Sequence, residues 1–214
     1  MNRNTMPVLY IYALNTLADW EIGNLTAEVN SRRFFKRDAP AYEIRFAGST
    51  LKSVKTMGGI SITPDCLVSE ITPQAEDVLV LPGADTWNEP ENVAAVDAAK
   101  RFLEEKDTTV AAICGATAAL AGAGLLDNRP HTSNGVGFLD MFVPNYRGKE
   151  YYADELSVND GNLITAGSTG GLLFAKQILT NMGVMSDDAL NAWYEYFKTG
   201  DAGAFFRLMT AVQK

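Results

Sequence analysis

Histidine is almost absent from this chain of 214 residues: His131 stands alone. One imidazole cannot build the two-histidine sites of helical zinc motifs, so no metal and no cofactor are expected. Cysteine is nearly as scarce. Cys66 and Cys114 lie far apart and form no C-x-x-C pair. That excludes a disulfide framework and makes a reduced, intracellular, cytoplasmic chain the expectation. Basic residues are outnumbered, 18 against 26 acidic, for a net charge of -8. No basic run extends beyond Arg32-Arg33 and Lys36-Arg37, which are expected on the solvated face of a helix. Nucleic acid is therefore not an expected partner. Long apolar runs are missing too. The stretch from Val8 to Leu17 is broken by Asn15 and followed by Asp19 and Glu21. It is too short to span a membrane, lacks a cleavage signal, and reads as a first strand.

What is present is an ordinary globular composition, 47% hydrophobic and 21% charged. The length suits one domain with a substantial core. Strand and helix signals alternate. Pro7 to Ala13 is continuously apolar, as a strand buried on both faces requires. Asn24 to Arg37 predicts a helix with Leu25, Val29 and Phe34 or Phe35 inward, ended near Pro40. Strands are predicted at Tyr42–Ala47, Asp77–Leu81, Thr108–Ile113 and Asn162–Ala166. Helices are predicted at Glu91–Lys106, at Thr117–Leu126, and from the Gly167–Gly171 turn to about Met182. Asn128 to Asp160 predicts short strands and loops. Asp187–Lys198 and Ala202–Val212 predict two final helices. This alternation argues an α/β fold, a doubly wound sandwich around a mostly parallel sheet, as a single domain over 1–214. Ligands in such folds bind beyond the carboxyl ends of the strands. Cys114, Gly83 after DVLVL and Gly167 after LITA all fall at such ends, so three loops should converge on one crevice.

The most informative segment is TVAAICGATAAL, residues 109–120. A short apolar strand ends at Cys114, Gly115 follows, and an alanine-rich helix begins. That is the plan of a nucleophile elbow, in which a sharp turn lifts a side chain above the sheet with a helix N-terminus behind it. Small residues allow the tight turn and a close approach of substrate. A thiol at that helix end is expected to favour thiolate. The competing reading is a buried structural cysteine. Ala121-Gly122-Ala123-Gly124 lies inside or at the end of a helix and fails as a dinucleotide loop. The Gly167–Gly171 turn, with Ser168, reads equally as an anion-binding helix start or as a structural turn. Trp87 and Asn134 are candidate pocket walls. Phe138, Tyr151 and Tyr152 suit either the pocket or a subunit interface. Trp193 to Phe197 reads as core packing.

Together VLVLPGA, AAICGAT and DGNLITAGSTGG resemble the DJ-one/ThiJ/PfpI branch of the class I glutamine amidotransferase-like superfamily. The resemblance runs from the first strand to the helix after Gly171, leaving residues 186–214 as extra C-terminal helices. It implies a flavodoxin-like three-layer sandwich and a homodimer acting on a small-molecule substrate. It also implies that Cys114 works with an acid from the loop after the first strand. Glu21 is the match, and Asp19 is second because alternate positions of an extended segment share a face. A protonated carboxyl there stabilises a thiolate, and burial raises its own pKa. The other reading leaves both acids as solvated loop charges. The resemblance further implies an oxyanion site at the backbone N–H groups of Gly115 and Ala84. Ala84 replaces the usual glycine, which matters only if that position needs positive φ.

Relatives carry a histidine either directly after the cysteine or in a segment after the elbow helix. Here those positions hold Gly115 and Asn134. His131 lies three residues before Asn134, which on a strand reverses the face and displaces it by roughly 10 Å. It is therefore expected to be structural or at the surface. Asn134 can orient substrate or hydrogen-bond the sulfur but cannot act as a base. A Cys114–Glu21 pair acting on a small carbonyl or amide, by hydrolase or glyoxalase-like chemistry, is the functional expectation. The alternatives are a cysteine-based redox or stress-response protein without turnover, and a degenerate binding member.

Overall fold

A computed structural model describes residues 6–212. Strand β1 (Val8–Ala13) is buried along all but its first residue. Helix α1 (Asp19–Ser31), β2 (Glu43–Gly48) and a small antiparallel hairpin of β3 (Val54–Lys55) and β4 (Ser61–Ile62) follow. Next come β5 (Cys66–Leu67), β6 (Val78–Leu81), α2 (Val93–Glu104), β7 (Thr109–Ile113), α3 (Gly115–Gly122) and α4 (Phe138–Phe142). The chain continues through β8 (Ser157–Asp160), β9 (Leu163–Ala166), α5 (Gly171–Asn181), α6 (Asp187–Thr199) and α7 (Ala202–Val212).

Seven strands form one sheet in the order β5-β2-β1-β6-β7-β9-β8. β8 runs antiparallel to β9, and the other pairings in this sheet are parallel. The fold is the expected α/β sandwich. From the centre, β1–α1–β2 steps one way and β6–α2–β7 the other. Right-handed crossovers therefore set α1 and α2 on opposite faces. α5 packs beside α1, and α6 packs on α5 and α7. Diverging connections open a crevice beyond the carboxyl ends of β1 and β6, where such folds bind ligands. Among the described residues no helix is long and apolar enough to cross a membrane.

Three local expectations are corrected. α1 starts at Asp19, before Asn24, because Ala18 leads into it without a side-chain cap that would mark the boundary. It stops at Ser31, where Arg32 takes a left-handed φ of 54° and donates its N–H to the Glu28 carbonyl. The basic pair Arg32-Arg33 therefore lies past the helix, and Arg33 pairs with Glu28 instead of lining a solvated helical face. The segment predicted as short strands and loops also holds α4; its predicted short strands include β8, at the edge of the sheet.

Candidate active site

β7 delivers its carboxyl end to Cys114, whose backbone adopts φ 58° and ψ -125°. Residues with a Cβ rarely occupy that region, and such strain persists only where neighbours enforce it. Here the Cys114 N–H donates to the Ala166 carbonyl of β9 at 2.9 Å. Thr117, in the first turn of α3, donates its hydroxyl to the Cys114 carbonyl at 2.6 Å and also meets the Ser133 hydroxyl at 2.6 Å. Gly115 is required by space. A Cβ there would stand 2.9 Å from the Ala84 carbonyl oxygen and 3.2 Å from Cδ1 of Trp87. No side chain, histidine included, fits directly after this cysteine without moving the facing loop.

Glu21 comes from the first turn of α1 and is 1% exposed. Its Oε2 accepts the Gly83 N–H at 2.6 Å, while Oε1 is buried without a partner. The carboxyl and the Cys114 side chain lie close enough for each to shift the other's pKa. Gly83 is the hinge of this contact: a Cβ on it would sit 2.7 Å from Cys114 Cβ and 2.7 Å from Glu21 Oε2. Its carbonyl accepts the Ala18 N–H at 2.9 Å, tying the β6 loop to the start of α1. Burial pushes the Glu21 carboxyl up to about 7, against the pull of Gly83 and Cys114. Burial also pushes the Cys114 thiol up, opposed by the Asn134 amide and the Gly115 N–H, while an ionised Glu21 pushes it further. The helix start alone therefore does not make a free thiolate, contrary to the simple expectation. Protonation of Glu21 removes the adverse charge and gives its carboxyl an O–H to donate.

Asn134 supplies the third contact. Its Oδ1 accepts the Ser168 N–H at 2.9 Å, which leaves Nδ2 facing Cys114 Sγ at 3.4 Å. The amide is thus a fixed donor with no proton to exchange. The Gly167–Gly171 turn serves this bond, since Ser168 directs its N–H to Asn134. His131 is 0% exposed and stands apart. Its Nδ1 donates to the Arg129 carbonyl at 2.7 Å, so Nε2 accepts the Tyr146 hydroxyl at 2.6 Å. Burial lowers its pKa and keeps it neutral. The edges of Tyr146 and Tyr152 pack around it in a structural cluster.

Asp19 belongs to a helix rather than an extended segment, so it does not share a face with Glu21. Its Oδ2 accepts the Gly58 N–H at 2.6 Å and ties the β3–β4 hairpin to α1. Ala84 has no positive φ. Its loop is fixed by the Thr16 hydroxyl on the Asp85 N–H at 2.8 Å and by the Trp87 indole on the Pro82 carbonyl at 2.8 Å. Thr16, at φ 62°, escaped the sequence reading, as did the Thr117–Ser133 bond. A β-branched residue carries no local signal for that conformation. Among the described residues no group of three His, Cys, Asp or Glu could hold a metal ion.

Cys114 and Glu21, the pair that the sequence resemblance implies, come together across Gly83. The sequence model of the DJ-1/PfpI family matches residues 7–181. The chain belongs to the DJ-1/PfpI family. It is 39% identical over 206 residues to a Bacillus subtilis protein named uncharacterized protease YoaZ, covering 96% of this chain and 98% of that one. The crystal structure of a ThiJ/PfpI family protein from Bacillus anthracis superimposes with a TM-score of 0.91 at 40% identity. That alignment covers 99% of this chain and 100% of the other. A DJ-1 superfamily protein from Agrobacterium tumefaciens gives a TM-score of 0.79 at 32% identity, over 91% and 99% of the two chains. The DJ-1/PfpI match ends before α6 and α7, whereas the Bacillus anthracis structure spans them.

Proposed function

We propose that this DJ-1/PfpI protein is an enzyme in which Cys114 attacks the carbonyl of a small substrate while Glu21 shuttles protons. The observation that carries this reading is the unpartnered, buried Oε1 of Glu21, which shares with Cys114 Cβ the small space over Gly83. A buried carboxyl left with an empty position in reach of a thiol is poised for proton transfer. The N–H groups of Gly115 and Ala84 are the donors for the developing oxyanion.

Among carbonyl reactions, a glyoxalase-like conversion of an α-oxoaldehyde best suits a site with one titrating partner. The thiolate adds to the aldehyde carbon, forming the C–S bond, and the carbonyl π pair moves to oxygen, which takes the Glu21 proton. The Glu21 carboxylate then removes the proton on that carbon and delivers it to the neighbouring carbon, while the hydroxyl proton passes from the first oxygen to the neighbouring carbonyl oxygen, which yields the thioester of a 2-hydroxy acid. Water cleaves the thioester, releasing a 2-hydroxy acid and the thiol. The aldehyde carbon is oxidised and its neighbour reduced, so no outside oxidant enters. Amide hydrolysis instead asks for a second base, and neither Asn134 nor the buried His131 provides one. The test is formation of 2-hydroxy acid from methylglyoxal, alongside a panel of amides and peptides. Turnover lost in both Cys114→Ser and Glu21→Gln supports the reading. Amide cleavage without methylglyoxal turnover overturns it.

The donors around Sγ favour one second reading, a redox protein whose oxidised sulfur is held by Asn134 and Gly115. Peroxide-driven formation of a stable sulfinic acid at Cys114, with no turnover of any carbonyl, would decide for it. The homodimer is likewise proposed. Met141 and Phe142 of α4 expose apolar surface available to a second copy, and sedimentation velocity tests it.

A further inference from the structure

Helix α1 buries two glutamates on one face, Glu21 and Glu28, separated by two turns with Leu25 between them. Glu28 is 1% exposed and is held from outside its own helix. Its Oε1 accepts the indole N–H of Trp193 in α6 at 3.0 Å, across 165 residues of sequence. The guanidinium of Arg33 forks onto the same carboxylate, through Nε at 2.9 Å and through Nη2. Arg33 in turn lies over the rings of Phe34 and Phe197. Trp193 is fully buried.

Another face of α6 grips α5. Lys176 of α5 donates to Asn191 at 2.8 Å and lies over the Tyr194 ring. α1 and α5 meet at the site itself, because a Cβ on Gly171 would stand 3.7 Å from Glu21 Cα. Each of these helices governs one partner of the Cys114 sulfur. α1 carries Glu21, and the turn that opens α5 carries Ser168, whose N–H aims Asn134 at the sulfur. Nothing in α6 touches the thiol; α1 places Glu21 near it, and the turn before α5 reaches it through Ser168 and Asn134.

We propose that Trp193 and Glu28 are positioning residues that brace α1 against α5 through α6 and so hold Glu21 dry beside Cys114. This inference rests on the proposed Cys114–Glu21 pair and assigns a role to a helix outside the family match. Without the indole bond, the first turn of α1 loosens, water reaches the Glu21 carboxyl, and its proton is released at lower pH.

The experiment is a carbon-13 titration of the glutamate side-chain carboxyls in the full-length chain, with Glu21 assigned by the Glu21→Gln variant. Trp193→Phe keeps an aromatic ring and removes the N–H together with part of the indole volume, while Glu28→Leu tests the same contact without that loss. In Trp193→Phe the Glu21 midpoint should fall by about one pH unit, a tenfold loss of proton affinity. Glu28→Leu reads the same contact from the other side with the volume filled, should Trp193→Phe not fold, and should shift the midpoint the same way. Glu28→Gln keeps an acceptor oxygen for the indole and should retain the wild-type midpoint. A folded Trp193→Phe or Glu28→Leu protein with an unshifted midpoint overturns the brace. A wild-type Glu21 titrating as an ordinary carboxyl overturns the brace and the catalytic reading together. A raised midpoint that falls in these variants, combined with an unreactive Cys114, overturns only the catalytic reading.

Discussion

Glu21 and Glu28 sit on the same face of the same helix, equally buried, and differ in what surrounds them. Glu28 is saturated: Arg33 and Trp193 occupy both oxygens. Glu21 has one partner, a backbone N–H, and an oxygen with none. A buried carboxylate with its partners complete locks two elements together. A buried carboxyl with a vacancy holds its proton and has something left to give. Burial alone therefore does not separate architecture from chemistry on this helix; the count of satisfied oxygens does.

The strongest way to break the contrast is Glu28→Ala. It leaves a cavity and a fully buried indole N–H without a partner, and frees a half-exposed Arg33, so stability should drop by about 4 kcal/mol, read as a lower urea midpoint. A loss below about 1 kcal/mol would remove Glu28 from the architectural side of the comparison. Next in size is the pH dependence that Glu21 imposes. Folding moves its carboxyl from 4.5 to about 7, so the folded protein binds that proton more tightly than the unfolded chain. Its contribution is complete below about 4.5 and is lost as pH rises through about 7, for about 3 kcal/mol at most. Glu21→Gln should flatten that slope in thermal melts taken across the window; an unchanged slope would mean the proton is held elsewhere. Asn134→Ala comes third. Loss of its N–H raises the thiol pKa and should slow iodoacetamide alkylation of Cys114 at pH 7 about fivefold, equivalent to about 1 kcal/mol. Equal rates would show that the long Asn134–sulfur contact does no electrostatic work. The smallest effect belongs to Cys66→Ser. Cys66 lies on the edge strand β5 with a thiol pushed up by burial, and its loss should leave the Cys114 alkylation profile unchanged.

The parallel sheet was legible because its strands are short, fully apolar runs between turn signals, as VLVL and TVAAI illustrate. The elbow was legible because Cys-Gly at a strand end has few structural readings. α1 was misplaced by five residues at its start because Ala18 offers no capping side chain, and that slip hid the helical setting of Glu21. With it went Asp19, whose position two residues away reads as a shared face on a strand and as a different face on a helix. Trp193 looked like plain core. Its bond to Glu28 spans 165 residues, and no local pattern encodes a partner at that distance. Asn134 could be proposed, but its orientation depends on the Ser168 N–H, which only the folded turn supplies.

The crowding at Gly115 bears on how this protein could be remade. Two seats near the sulfur would suit an imidazole. One is shut, because the carbonyl of Ala84 and the ring of Trp87 leave no volume above the glycine. The other, at 134, opens to solvent and already points at Sγ. A lineage or a designer seeking a hydrolase from this scaffold therefore has a one-residue path through position 134. The seat beside the cysteine would demand a rebuilt loop.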